Sequence, residues 1–239
     1  GHIVRLYVQR DRQHNEALRQ QEDKIRLKKQ LTNNINHELK TPVASMLVCL
    51  ELLHDHPELP EEKKREFINR ILANAQRLNS LLKDVSTITR LDEGAEMIET
   101  TPVNLAELIR EVVDEERLRT SMSIITNVPD ITINGNRLLL ESVFRNLIDN
   151  AIAHSGGTEI HITADTNGNF TVSDNGCGVP EIHIPHLFER FYRIDAGRSR
   201  AEGGTGLGLA IVRNALALHG SGITVSNNHG LTFRFRLGN

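Results

Sequence analysis

Apolar residues recur at intervals of three and four along two stretches of the first ninety residues, and no glycine interrupts the pattern between Ile3 and Glu93. Leu27, Leu31, Ile35, Leu39, Val43, Met46 or Leu47, Leu50 and Leu53 form one seam, and Phe67, Ile71, Asn74, Leu78, Leu81, Val85 and Ile88 form another. That period belongs to an amphipathic helix, so two helices are predicted. Between them, His56-Pro57-Glu58-Leu59-Pro60 breaks the helix, because each proline lacks an amide donor and disfavours helix in the residue before it. The prediction is a helical hairpin. Each of its helices buries one stripe, and pairing two hairpins about a two-fold axis into a four-helix bundle would cover both seams. A closed monomeric arrangement against the downstream part of the chain is the other way to cover them.

The pattern changes between Glu93 and Pro102, where long charged helices give way to glycine clusters and alternating β-rich runs. Helices are predicted over 105–119, 137–154 and 206–218, and strands over 124–127, 131–133, 159–164, 170–174, 222–226 and 232–237, with Asn167-Gly168-Asn169 turning one strand pair. A mixed, antiparallel-rich sheet with helices on one face, an α+β sandwich, accounts for this order. The expected layout is a linker helix over 1–24, a helical hairpin over 25–94 and an α+β domain over 99–239.

Composition narrows the picture only a little. The chain has 239 residues and 38% apolar content, enough for two small folded domains. A formal net charge of −3 gives no broad electrostatic case for nucleic acid. No run reaches the ~18 apolar residues needed to span a bilayer. Ile3 to Val8, followed by Arg10, Asp11 and Arg12, fits either the cytoplasmic border of a spanning helix further upstream or an ordinary helix start. Cys49 and Cys177 lack neighbouring metal-ligand partners and read as reduced packing residues. His54, His56, His183, His186 and His219 form no convincing metal set.

Candidate chemistry begins at Asn36-His37-Glu38-Leu39-Lys40-Thr41-Pro42. His37 lies roughly 200° around the helix from both Ile35 and Leu39, which turns it away from the seam and toward solvent. A largely neutral imidazole offers one ring nitrogen for in-line attack, and Glu38 can accept a hydrogen bond from the other ring N–H in a general-base or orienting role. Pro42 removes the amide that would bond the Glu38 carbonyl, which predicts a loosened or bent helix there.

Three downstream blocks describe a divided nucleotide site. In Asn146-Leu147-Ile148-Asp149-Asn150-Ala151, Asn146 and Asn150 stand four residues apart on one helical face, where amide oxygens can join phosphate oxygens around Mg²⁺. Asp174-Asn175-Gly176-Cys177-Gly178 ends a strand and by itself reads first as an ordinary turn; alternatively its carboxylate can accept from the exocyclic amine of adenine, while Gly176 and Gly178 let backbone approach the ring. Gly204-Thr205-Gly206-Leu207-Gly208 opens a helix whose free amides suit phosphate, without the Lys-Ser/Thr ending of a P-loop. From Val179 to Gly203 runs a long connection carrying Arg190, Arg193, Arg198 and Arg200.

In this order the blocks resemble those of the sensor histidine kinases of two-component signalling, a HisKA-type dimerisation domain followed by a GHKL-type ATP-binding domain. The likeness covers nearly the whole chain. It implies ATP as cofactor with Mg²⁺, autophosphorylation of His37, and phosphoryl transfer to an aspartate on the receiver domain of a response regulator. It also implies a homodimer and a full-length protein anchored in the inner membrane through a region upstream, facing the cytoplasm. Thr41 matches the position that orients water for dephosphorylating the partner, or is simply the restricted residue before a helical proline. Phe-Glu-Arg-Phe-Tyr-Arg over 188–193 resembles the family's F-box, making the connection an ATP lid with Arg193 or Arg190 near the phosphates. Relatives often place a basic residue and then Tyr where this chain has Ala153 and His154, so His154 reads either as an adenine-facing ring or as a cation at a helix end. A GHKL-type ATPase that uses hydrolysis to change conformation is the alternative reading.

Overall fold

The computed structural model describes residues 2–93, 98–194 and 204–238. Two compact units divide the chain, Gly1–Leu78 and Asn79–Asn239, with the second helix crossing the boundary. Arg198 and Arg200 of the expected lid lie outside the described residues.

In the first unit, α1 (His2–Asp55) and α2 (Glu61–Glu93) are joined by the proline-bounded turn. His56 N–H still reaches the Leu52 carbonyl at 3.2 Å, Leu59 N–H closes on His56, and the Pro60 carbonyl accepts the first helical bond from Lys64 N–H at 3.1 Å. α1 continues through Pro42 as helix, and the proline is buried. A helix held along its length by a packed face tolerates one missing amide bond.

The predicted seam on α1 separates into two stripes. Leu31, Ile35, Leu39, Met46 and Leu53 are partly covered, Pro42 and Cys49 fully so, and polar pairs cross to α2: Asn74 Nδ2 donates to Ser45 Oγ at 3.4 Å and Arg77 Nη2 to Glu38 Oε2 at 3.0 Å. Val43, Leu47 and Leu50, roughly 90° further round the helix, are exposed, as are Ile68 and Leu72 on α2.

In the second unit, β1 (Thr101–Asn104) pairs antiparallel with β3 (Thr132–Gly135), Thr101 facing Gly135. The sequence pattern hid β1, since a proline at its second residue argues against a strand; as one edge of a two-stranded ribbon it is tolerated. The main sheet runs β2-β4-β5-β7-β6, built from β2 (Ser123–Asn127), β4 (Glu159–Ala164), β5 (Asn169–Asp174), β6 (Ile223–Asn227) and β7 (Leu231–Arg236). Its β2–β4 pair is parallel and the others antiparallel. The β4–β5 turn is drawn together by Asp165 Oδ1, which accepts from the amides of Asn167 and Asn169 at 2.9 and 3.0 Å. Gly168 sits there at φ +76, with the Leu237 carbonyl where a Cβ would project.

Three helices accompany the sheet: α3 (Leu105–Arg117), α4 (Arg137–His154) and α5 (Gly208–Leu218). Asn104 caps α3 through the Glu107 amide and Asn136 caps α4 through the Leu139 amide, each at 3.0 Å. These caps satisfy N-terminal amides that the helix itself cannot. α3 buries Leu105, Leu108, Ile109, Val112, Val113 and Glu116, the three-and-four spacing of a single face. Phe144 of α4 meets Phe170 and Phe235 of the sheet with ring centroids 5.6 and 5.9 Å apart, fixing the centre of the core. His219 ties α5 to the start of α4: Nε2 accepts from Asn136 N–H at 3.0 Å while Nδ1 meets the Ala215 carbonyl at 2.7 Å. α5 starts at Gly208 rather than the expected Gly206, whose φ of +72 is not helical.

Candidate functional site

His37 is exposed on α1, on the side away from α2, as its position relative to Ile35 and Leu39 requires. Thr41, one turn on, is also exposed. Glu38 differs from both. Its side chain turns toward α2, 19% exposed, and its carboxylate accepts from Arg77, itself 13% exposed. Sequence reasoning assigned this carboxylate to the imidazole and did not anticipate Arg77; an arginine beside a helical seam carries no signal of which acid it will meet across the hairpin.

The second unit contains a cleft of about 460 Å³ at the carboxy-terminal half of α4, within the ordinary range for a small-molecule site. Asn150, His154, Asp174, Gly178, Arg193, Gly204 and Gly206 all line it, with Tyr192 and Leu187 on the lid side. Three segments far apart in sequence therefore converge. Asp174 is buried at the end of β5, where Oδ1 accepts from Gly176 N–H at 2.9 Å. That bond aims the carboxylate and leaves it acceptor capacity. His183 Nδ1 lies 2.7 Å from the Tyr192 hydroxyl and anchors that ring at the edge of the cleft.

The glycines divide by role. Gly176 presses on Ser155, whose carbonyl oxygen occupies the place a Cβ would take, so this glycine allows contact with the end of α4 rather than with a ligand. Gly178 adopts φ +66 beside Asn227, which also accepts from Val179 N–H at 3.0 Å and donates to the Val179 carbonyl at 2.6 Å. Gly206 is pressed against the backbone of Phe191, a non-glycine residue at φ +64, and the Gly206 carbonyl accepts from Phe191 N–H at 2.7 Å. The lid and the glycine loop are thus joined through their backbones. Gly208 makes room for the Asn146 amide oxygen at the start of α5.

Other predicted residues stand beside the cleft rather than in it. Asn146 Nδ2 donates to the Ser142 carbonyl at 2.8 Å, and its amide is not part of the lining. Leu207 is wholly buried and belongs to the core, although its amide reaches Thr205 Oγ1 at 3.2 Å. Thr205 Oγ1 donates to Asp84 of α2 at 2.6 Å, and burial raises that carboxyl above the usual range despite the hydroxyl's donation. Arg190 makes two hydrogen bonds to Asp92 at 2.6 and 3.1 Å, and of the two described lid arginines it is Arg193 that lines the cleft. Cys177, read as a packing residue, is exposed; its amide donates to the Ser155 carbonyl at 2.9 Å and its thiol to the Gly178 carbonyl at 3.5 Å.

An ionic cluster behind α4 escaped the sequence reading altogether. Glu116 is fully buried and receives Arg145 at 2.7 Å and Arg119 at 3.0 Å. Beside it, burial and the Glu116 carboxylate push Asp149 up to about 6, against the pull of Arg119 and Arg145. Acidic and basic residues on a helix read as a solvated face until a second helix is placed against them.

As a nucleotide site the cleft has the required chemistry: a buried acceptor for an amine, a cation at the lid, and backbone close to a helix start. Asn150 offers a neutral oxygen suited to Mg²⁺ shared with phosphates and water. Among the described residues no group of three or more His, Cys, Asp or Glu side chains could hold a metal.

Comparison with known proteins matches two segments of the chain. Residues 27–94 match the His Kinase A (phospho-acceptor) domain, and residues 135–239 match the histidine kinase-, DNA gyrase B-, and HSP90-like ATPase domain. The chain is 34% identical over 212 residues to the sensor-like histidine kinase SenX3 of Mycolicibacterium smegmatis, covering 85% of this chain and 55% of that protein. It is 32% identical over 233 residues to the sensor protein VanS of Enterococcus faecium, covering 92% of this chain and 61% of that one. The chain therefore spans little more than half the length of these relatives. Among solved structures, full-length ShkA in complex with AMPPNP superposes with a TM-score of 0.61 at 27% identity, over 84% of this chain and 44% of that one.

Proposed function

This chain belongs to the sensor histidine kinases, and on that premise we propose that it transfers the γ-phosphoryl group of ATP to His37 and passes it to an aspartate of a response-regulator receiver domain. The observation that carries this reading is the cleft in which Asp174, Asn150, Arg193 and the glycine loop converge. Asp174 selects adenine by accepting from its amine, where guanine would present a carbonyl. Asn150, with Asn146 one turn away, serves Mg²⁺ and the phosphates, and Arg193 neutralises charge from the lid. Bound Mg²⁺ would supply electrostatic stabilisation of the phosphates. Phosphoryl transfer asks little else of a protein than position and charge.

At His37 a ring nitrogen lone pair forms the N–P bond as the P–O bond to ADP breaks, and the proton on the other ring nitrogen departs through an acceptor. Glu38 is the neighbouring group for that acceptor role, and Thr41 the one for orienting the water that hydrolyses the aspartyl phosphate of the partner regulator. Val48 and Leu52, exposed at roughly 20° and 60° round the helix from His37, extend an apolar stripe along the same side of α1. A receiver domain docked there would bring its aspartate to the phosphorylated ring. The second exposed stripe, Val43, Leu47 and Leu50 with Ile68 and Leu72, supports a homodimeric four-helix bundle. No described helix is long and apolar enough to cross a membrane, so the inner-membrane anchor proposed for the full-length protein would lie elsewhere.

Incubation with γ-labelled ATP and Mg²⁺ tests the proposal. Acid-labile label should map to His37 and disappear in His37→Gln with nucleotide binding intact. Undiminished labelling of that variant would reject the kinase reading. ATP hydrolysis with no protein-bound label would favour a conformational ATPase.

A further inference from the structure

Glu38 follows His37 in sequence, but about 100° of helical turn separates their directions. The imidazole faces solvent and the carboxylate faces α2, where Arg77 Nη2 donates to Oε2 at 3.0 Å. Both partners are mostly shielded from water, which makes this pair less screened than the surface ion pairs of the hairpin such as Lys63–Glu66 and Lys64–Glu61. It also closes across two helices, 39 residues apart in sequence, so its geometry reports their relative position.

Resting on the reading of His37 as phosphoacceptor, we propose that Arg77 is a positioning residue that restrains the reaction: it holds Glu38 on the α2 side, and autophosphorylation requires the carboxylate to pass from the guanidinium to the imidazole N–H. The exchange has a physical driving force. A neutral ring N–H is a modest donor and does not compete with a guanidinium. As the N–P bond forms and the P–O bond to ADP breaks, the ring becomes cationic and its remaining N–H becomes a charge-assisted donor, about twice as strong as a neutral one. Glu38 therefore gains most by moving in the transition state, accepts the ring proton there and releases it to water, leaving a neutral phosphoimidazole. An interaction strengthened only in the transition state raises kcat rather than lowering KM. A hydrogen bond weakens steeply when its angle closes or its length grows past ~3.5 Å, so a small slide or rotation of α1 against α2 would release Glu38. The pair couples helix movement to chemistry.

The test uses the whole chain and compares wild type with Arg77→Met, Arg77→Lys, Glu38→Gln and the Glu38→Gln/Arg77→Met double variant. Arg77→Met should raise kcat for His37 labelling about 3- to 10-fold at unchanged KM for ATP, an ordinary size for a released coupling. Lysine, which keeps the charge but loses the planar fork, should stay near wild type. The gain should vanish when Glu38 is glutamine. A fall in kcat with Arg77→Met to the level of Glu38→Gln, no change in kcat, or a gain that persists in the double variant would each overturn the proposal. The imidazole ¹⁵N resonances of His37 give a readout that needs no catalysis. In Arg77→Met they should move toward the pattern of a ring donating to carboxylate, and an unmoved spectrum would overturn the proposal even if folding or activity were impaired. Absence of label on wild-type His37 would instead strike at the kinase reading, leaving the spectrum to report on Arg77 and Glu38.

Discussion

The hairpin and the α/β unit solve the problem of burial in opposite ways. Around Phe144, Phe170 and Phe235 the α/β unit closes its own core, with some thirty apolar side chains among the described residues nearly inaccessible, most of them there. In the hairpin, Cys49 is the one fully buried apolar side chain between Leu27 and Leu78 apart from Pro42, while Val43, Leu47, Leu50, Ile68 and Leu72 stand open. Two helices cannot enclose a volume, whereas three helices on a sheet can. One unit closes its own core and the other leaves apolar stripes open.

Substitutions that separate these two conditions should differ in what they disturb. The largest effect is expected from Leu47→Glu with Leu72→Glu. A two-fold interface contains each change twice, and burying unpaired carboxylates should weaken self-association by about 5 kcal/mol, several thousand-fold. Sedimentation should show monomer, while the unfolding transition that ADP shifts stays where it was. If the protein remained dimeric, the exposed stripes would not be its interface. Phe144→Ala should do the reverse, costing about 4 kcal/mol in that ADP-shifted transition through the cavity it leaves, with association unchanged. Equal loss of both would mean that the two units do not fold independently.

Arg145→Met should cost about 3 kcal/mol in urea titration, because it removes a partner from the wholly buried Glu116 and leaves the partly exposed Arg119 to compensate. Restoring an apolar match with Glu116→Met in the same chain should recover most of the loss; failure to recover would place the defect in packing. The smallest effect is that of Asp149→Asn. Asp149, raised from 3.8 to about 6, binds its proton more tightly folded than unfolded, so its favourable contribution is present below pH 4 and lost as pH rises through 6. After discount for its half-exposed side chain, the wild type should lose about 1 kcal/mol relative to the asparagine variant between those limits. Parallel stability curves for the two proteins over that window would refute it.

How far each feature could be read from sequence followed the range of the interaction behind it. His37 was placed on the open side of its helix by its spacing from Ile35 and Leu39 alone, and α4 was bounded at Arg137 and His154 because the cap and the periodicity are local. β1 was missed because its pairing with β3 outweighs the local effect of Pro102. Gly178 lines the cleft, while the tightest neighbours of Gly176 and Gly178 are Ser155 and Asn227, residues that only folding brings near.

By itself, the sequence determined the two helices and their turn, the alternation that makes the sheet, and the residue types able to attack, accept from adenine and approach phosphate. These depend on periodicity, proline and glycine stereochemistry, and the capacities of single side chains, all properties of a short segment. Tertiary structure alone decided that Glu38 meets Arg77, that Arg190 meets Asp92 while Arg193 lines the cleft, and that Glu116 of α3 and Asp149 of α4 are brought together. Which charge faces which depends on how separate segments pack, and the resulting loss of solvent gives those encounters their energy.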